Sequence, residues 1–373
     1  MNLTVVGLTN ILLTVLLVAA LPLTIVWTSG DTNKYRKLAL VTLFLTFDLV
    51  VFGGFTRLTD SGLGCPDWPG CYGHANPLQA GGEINVAQAA MPTGPVTQAK
   101  AWIEMIHRYL ASTVGVLIAA MTFIAWYRWL KSKRQIAQFA PHAPMALLAL
   151  VMTQGAFGAW TVTLKLQPVI VTTHLLLGLS LLAALTWNYA RLAQPAAYSP
   201  DARALRGPAV VALVLLTMQI ALGGWVSTNY ATLACSEFPT CQGSWLPSMD
   251  FTNGFTLWRS LGRTATGEFL PFAALTAIHW VHRNFAFIVI ACLAYVGVRA
   301  VRQQGLRSIG RWLLLVLSAQ FLTGVLTIYF QFPLLLAVLH NAGAAMLVVL
   351  LIMLNYRTRR AIPPESASLR QSP

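Results

Sequence analysis

Five of the seven histidines lie inside long apolar stretches: His107, His174, His279, His282 and His340. A metal-ligating or ionisable group inside a membrane helix is costly to keep there and marks a functional hypothesis by default. An imidazole so placed either makes an interhelical hydrogen bond or ligates a metal, for which it is the commonest side chain. His74 and His142 fall in polar loops, outside and inside respectively, and are set apart.

The spacing separates four of the five. His174 to Arg191, His282 to Arg299 and His340 to Arg357 each span 17 residues (191 − 174, 299 − 282, 357 − 340), and His107 to Arg128 spans 21 (128 − 107). If the arginines mark the inner boundary, a rise of about 1.5 Å per residue puts the first three roughly 25 Å above it, so all four lie near the outer face. Each half of the chain contributes one pair. Two imidazoles at similar height on facing helices are what axial ligation of a porphyrin iron requires. A single intramembrane histidine is as readily explained by a hydrogen bond; duplicate pairs favour iron.

Arg108 and Arg283 directly follow His107 and His282. Two readings stand side by side: a cation snorkelling to lipid headgroups, or a guanidinium paired with a porphyrin propionate. Glu104, one turn before His107, corresponds to His279 in the second half. A carboxylate at the edge of hydrocarbon is expensive, so it either pairs with a nearby cation or has a chemical task that the other half lacks.

Of five cysteines, Cys65/Cys71 and Cys235/Cys241 lie in outside loops, where an oxidising compartment permits disulfides. Neither pair has the C-x-x-C-H spacing of covalent haem attachment or the additional ligands of a zinc site. Two short-loop disulfides are expected, structural or open to exchange with a thiol carrier if exposed. Cys292 lies in a span and reads as a small core residue.

The elements that must position these residues are helices. Of 373 residues 56% are hydrophobic and 10% charged, with mean hydropathy +0.63, well outside soluble usage. Apolar stretches long enough to cross a bilayer fall at 4–27, 38–57, 102–127, 143–163, 169–190, 208–228, 270–298, 310–330 and 333–356. The net charge of +14 is not a nucleic-acid signature, because every second loop carries the cations, as positive-inside topology demands. The N-terminus is then outside and the C-terminus inside. The first stretch lacks the basic n-region of a signal peptide and is expected to be retained. Residues 363–373 are expected to be a disordered tail.

Gly53, Cys65 and Cys71 recur at Gly223, Cys235 and Cys241 with one offset of 170 (223 − 53), "IEMIHRYLA" (103–111) recurs as "IHWVHRNFA" (278–286), and "TTHLLLG" (172–178) as "VLHNAGA" (338–344). An even number of helices per repeat makes the repeats parallel. The expected fold is all-α and integral to the membrane: two parallel-repeat four-helix bundles, 38–193 and 194–357, after an additional helix and basic loop over 1–37 and before a tail over 358–373.

With these residues assembled, "GGFTRLTDSGLGCPDWPGCYG" (53–73), "EMIHRYLA" (104–111), "HWVHRN" (279–284) and "LHNAGA" (339–344) together resemble the haem A synthase family, over roughly 38–357. The resemblance implies an oxidoreductase that oxidises a methyl of haem O to the formyl of haem A by successive hydroxylations. It implies that Glu104, His107 and His174 serve the substrate haem, that His282 and His340 ligate a resident haem b, and that both loop disulfides form. Glu104 would stabilise positive charge developing at the methyl carbon, or manage protons there. It also implies a bacterial inner membrane with haem sites near the periplasmic face. The haem O-producing enzyme, an electron carrier or a second copy of the chain are open as partners. The helix at 4–27 and the long loop over 74–102 exceed the simplest eight-helix members. Two other classes were weighed: a di-haem b electron carrier, and a parallel-repeat transporter, the latter disfavoured because its polar residues would line the midplane.

Overall fold

Within lipid a backbone has no water to bond, so each apolar stretch must satisfy its own amides as a helix. The computed structural model describes residues 5–193 and 200–360; the tail expected over 363–373 lies outside them. Among the described residues nine helices are long and apolar enough to cross a membrane, and the protein is a multi-pass membrane protein. The chain forms two compact units, Met1–Leu192 and Ala193–Pro373.

The first unit contains α1 (Val5–Thr28), α2 (Lys34–Leu58), α3 (Gly81–Ala90), α4 (Gln98–Lys131), α5 (His142–Thr163) and α6 (Pro168–Leu192). Helix α2 packs on α4 and α6, and α5 packs on the same two, closing a ring of four. The additional helix α1 stands outside that ring against α4 and α2. Its inward side carries Val15, Ala19 and Val26, all buried, while Leu12, Leu13, Leu17 and Leu21 are exposed. Below the histidines the ring is filled by Leu38, Val114, Leu117, Ile118, Met121, Leu181 and Leu185. In lipid such a core is held by close packing and dispersion rather than by exclusion of water.

The second unit contains α7 (Arg206–Thr228), α8 (Phe251–Gly254), α9 (Phe272–Val301), α10 (Arg307–Tyr329) and α11 (Leu334–Arg359). It repeats the ring: α7 packs on α9 and α11, and α10 on the same two. Gly310 is needed where α10 crosses α9, since a methyl group there would stand 2.6 Å from the Val301 amide nitrogen. The buried Asn355 amide donates to the Ala209 carbonyl at 3.0 Å and ties α11 to α7.

Several helices run past their apolar stretches. Helices α4 and α11 extend to Lys131 and Arg359, with Arg128, Lys131, Arg357 and Arg359 in their last turns. Lys and Arg are good helix formers and favour the negative end of the helix dipole, so hydropathy alone ends these helices early. His142, expected in a loop, is the first residue of α5. The long loop over 74–102 is not featureless: it holds α3, whose Ile84 is buried, and Tyr109 Oη on α4 donates to the Ala75 carbonyl at 2.5 Å. In the second unit the corresponding region is braced differently. Trp225 Nε1 donates to the Gly254 carbonyl at 2.8 Å, and buried Arg259 donates to Asn229 Oδ1 at 2.5 Å.

Candidate functional site

His107 lies on α4 and His174 on α6; His282 lies on α9 and His340 on α11. Within each unit the two imidazoles lie on the two helices that face each other across one four-helix ring. The structure therefore brings together the pairs that the spacing assigned. His279 is not part of a pair; it faces the disulfide loop.

Each of the four rings rests on a glycine of the preceding spanning helix. A methyl group on Gly53 would stand 3.0 Å from Cε1 of His107, on Gly158 3.2 Å from Cε1 of His174, on Gly223 3.0 Å from Cε1 of His282, and on Gly324 3.1 Å from Cε1 of His340. The missing side chain lets an imidazole lie against backbone, which fixes its height and leaves the rest of the ring free. Side chains from the same helices then reach three of the rings. Gln154 Nε2 is 3.4 Å from His174 Nε2, Gln219 Nε2 is 3.1 Å from His282 Nδ1, and Thr323 Oγ1 is 3.1 Å from His340 Nδ1. Nδ1 of His107 and of His174 are buried without a hydrogen-bond partner among the described residues. Paired imidazoles, fixed by glycine seats and with ring nitrogens left over, fit a six-coordinate porphyrin iron. An outer partner on one nitrogen, as the Thr323 hydroxyl is at His340 Nδ1, leaves the other for the metal.

The disulfide loops are lashed to these helices. Cys65–Cys71 and Cys235–Cys241 are both bonded, with Cα separations of 4.9 and 4.7 Å. Glu104 Oε2 accepts from the Cys65 amide at 2.8 Å and Oε1 accepts from Arg108 Nη2 at 2.5 Å. Arg108 Nη1 donates to the carbonyls of Asp67 at 2.9 Å and Gly70 at 2.5 Å. In the second unit His279 Nδ1 accepts from the Cys235 amide at 3.3 Å, and Arg283 donates to the carbonyls of Cys235, Glu237 and Thr240 at 2.9, 2.8 and 2.8 Å. The residue pairs 104/108 and 279/283 thus do one job in both units: they fix the loop above the histidines. Neither snorkelling nor a propionate contact anticipates this partner set. The cysteine sulfurs are buried, three of the four residues being 0% exposed and Cys241 2%, so neither bond presents a surface to a thiol carrier.

Loop acids complete the turn. Asp67 accepts from the amides of Tyr72 and Gly73 at 2.6 and 2.7 Å, and Glu237, 170 residues later (237 − 67), accepts from the Gly243 amide. Tyr72 and Gln242 are both left-handed, at φ 52° and 53°, a conformation that these amide contacts help to hold. In the sequence Asp67 and Glu237 mark only the outside loops, and Gln154, Gln219, Gln320, Thr323 and the four seating glycines carry no local sign of a role. One signal could have found most of them: Q-x-x-x-G occurs at 154–158, 219–223 and 320–324, each before a helix that carries a paired histidine.

The Glu104–Arg108 pair is testable as a unit. Both side chains are nearly buried, at 5% and 11% exposure, and removing one partner of such a pair costs about 3–5 kcal/mol because the other is left uncompensated. Arg108→Met is expected to destabilise the first unit by about that amount, less the Cys65 amide's residual support, and Glu104→Gln added to it should recover part of the loss. Thermal unfolding in detergent of the two single variants and the double variant measures the coupling.

Two four-helix rings, each holding an imidazole pair beneath a disulfide-closed loop, define a multi-pass integral membrane protein with a duplicated histidine site. Residues 36–352 match the COX15-CtaA family, cytochrome oxidase assembly proteins, and the chain belongs to that family. It is 37% identical over 320 residues to a protein of Shewanella oneidensis named heme A synthase, covering 85% of this chain and 94% of that one. Proteins with the same name from Novosphingobium aromaticivorans and Rhizorhabdus wittichii are 30% and 28% identical over 350 and 344 residues, covering 86% and 87% of this chain and 94% of each relative. The haem A synthase resemblance carried by the sequence motifs is borne out at the level of the family.

Proposed function

We propose that this protein is a haem A synthase, an oxidoreductase that converts the methyl of haem O into the formyl of haem A. The observation that carries the reading is the imidazole pair in each unit, seated on glycines, in a chain of this family. His107 and His174 hold the substrate haem; His282 and His340 hold haem b. The resident haem supplies the redox chemistry that side chains cannot. The chain's own residues orient and enclose. The glycine seats set ring height, and Arg108 and Arg283 hold each disulfide loop over its pair, from where their guanidinium groups would be available to a haem propionate. Both oxygens of Glu104 already accept hydrogen bonds. A carboxylate so fixed suits stabilisation of positive charge at the reacting methyl better than a mobile proton relay. The site belongs at the periplasmic side of a bacterial inner membrane, with haem O arriving from the enzyme that makes it.

One observation favours a second reading, a di-haem b electron carrier: Glu104 and His279 make the same contact with the loop amide, so their difference need not be catalytic. Extraction and chromatography of the pigments of purified protein, expressed where haem O is made, distinguishes the two. The enzyme is expected to yield haem b together with haem O or haem A. Haem b alone, at two per chain, would establish the carrier.

A further inference from the structure

The seats of the four histidines are not equivalent. On α5, α7 and α10 the seating glycine is preceded, one helical turn earlier, by a glutamine: Gln154 before Gly158, Gln219 before Gly223 and Gln320 before Gly324. Residues four apart lie on one helix face, so on α5 and α7 the glutamine and the glycine address the same imidazole. Gln219 Nε2 is 3.1 Å from His282 Nδ1 and also donates to the His282 carbonyl at 3.1 Å. Gln154 Nε2 is 3.4 Å from His174 Nε2 and lies against Gly178, where a methyl group would stand 3.1 Å from it. Gln320 lies against Gly343, one turn beyond His340, and the Thr323 hydroxyl, one residue before the seat, is 3.1 Å from His340 Nδ1.

On α2 the pattern fails. The offset of 170 that relates Gly53 to Gly223 places Leu49 where the second unit has Gln219 (219 − 170). Leu49 packs against the apolar core of the first unit. Phe52 stacks on the His107 ring, with centroids 6.3 Å apart. No side chain hydrogen-bonds to that ring among the described residues, and its buried Nδ1 is without a partner.

An outer partner on a ligating imidazole fixes its orientation and tautomer and raises its basicity; losing one typically weakens metal binding about 10–100-fold. We propose that Gln154, Gln219 and Thr323 are positioning residues that latch His174, His282 and His340, while Leu49 leaves His107 as the one unlatched ligand, from which the substrate haem is released. The proposal rests on the haem reading of both pairs. It accounts for a functional need that the duplication alone does not meet: a resident cofactor requires two firm ligands, whereas a substrate haem must arrive and its product must leave. The unit with two latched histidines keeps its porphyrin, and the unit with one lets go.

The test is haem loss from purified, fully loaded protein to excess apomyoglobin, with the departing haem identified by chromatography and the retained haem followed by low-spin electron paramagnetic resonance. Leu49→Gln is expected to slow release from the first unit about 10-fold and to alter its low-spin signal, and Leu49→Met to change neither. Gln219→Leu is expected to speed loss of haem b about 10-fold, and it remains informative if Leu49→Gln fails to fold, because it places in α7 the residue that α2 already tolerates. Release rates and signals indifferent to Gln219→Leu, or to a folded Leu49→Gln, overturn the latch while leaving the haem sites standing. Wild-type protein with no bis-imidazole low-spin signal overturns the haem reading itself, and the latch with it.

Discussion

Glu104→His is expected to destabilise the first unit by no more than the roughly 3–5 kcal/mol of a broken buried pair, and in the folded, haem-loaded protein to lower haem A output about 100-fold or more. The second unit supplies the rationale. There an imidazole at the matching position accepts the Cys235 amide and lies beside Arg283, so a histidine at 104 can anchor the Cys65 amide in the same way. What the substitution removes is the negative charge. If that charge stabilises a cationic methyl carbon, its loss should cost what loss of a preorganised electrostatic partner costs elsewhere, about 10²–10³ in rate. Glu104→Ala is the less informative change, since it removes charge and anchor together. The ratio of haem A to haem O in extracted pigment is the readout. A wild-type ratio from a folded Glu104→His variant would show that the carboxylate only holds the loop, and would remove Glu104 from the catalytic residues.

The membrane-crossing elements and the grouping of the histidines into pairs were legible because each rests on a one-dimensional signal. Apolar length gives the spans, and the repeated interval from histidine to arginine groups the histidines without any packing information. The contacts that finish the site were not legible for a specific reason: each joins residues whose local meaning is something else. Arg108 reads as an interfacial cation until its distance to the Asp67 and Gly70 carbonyls is known. Gln219 reads as ordinary interhelical glue, and glycine is common enough in membrane helices that Gly223 announces nothing. Only the third appearance of Q-x-x-x-G, set against Leu49, carries the information, and it requires knowing which helix faces which. Glu104 is the instructive case. The break in symmetry at 104/279 was visible, but the identical amide contact that both residues make was hidden in the fold of the loop.

His282→Ala and His107→Ala are expected to separate the two porphyrins. Loss of an axial ligand should exceed the roughly 10–100-fold weakening that follows loss of an outer partner, so haem b should fall to background in protein carrying His282→Ala. A ligand bound at a thousand times its Kd stabilises the folded state by about 4 kcal/mol, and that support disappears with it. His282→Ala should therefore lower the unfolding temperature of the purified protein, and by more than Gln219→Leu. His107→Ala should leave haem b and its low-spin spectrum intact, because His282 and His340 belong to a ring of helices closed within the second unit. It should abolish haem A formation, since the substrate loses one of the two imidazoles that set its height beneath the Glu104 loop. The discriminating measurement is the haem b content of the two variants side by side. Loss of haem b from His107→Ala with retention in His282→Ala would exchange the assignments of the two units, and Glu104 would then stand beside the resident cofactor instead of the substrate.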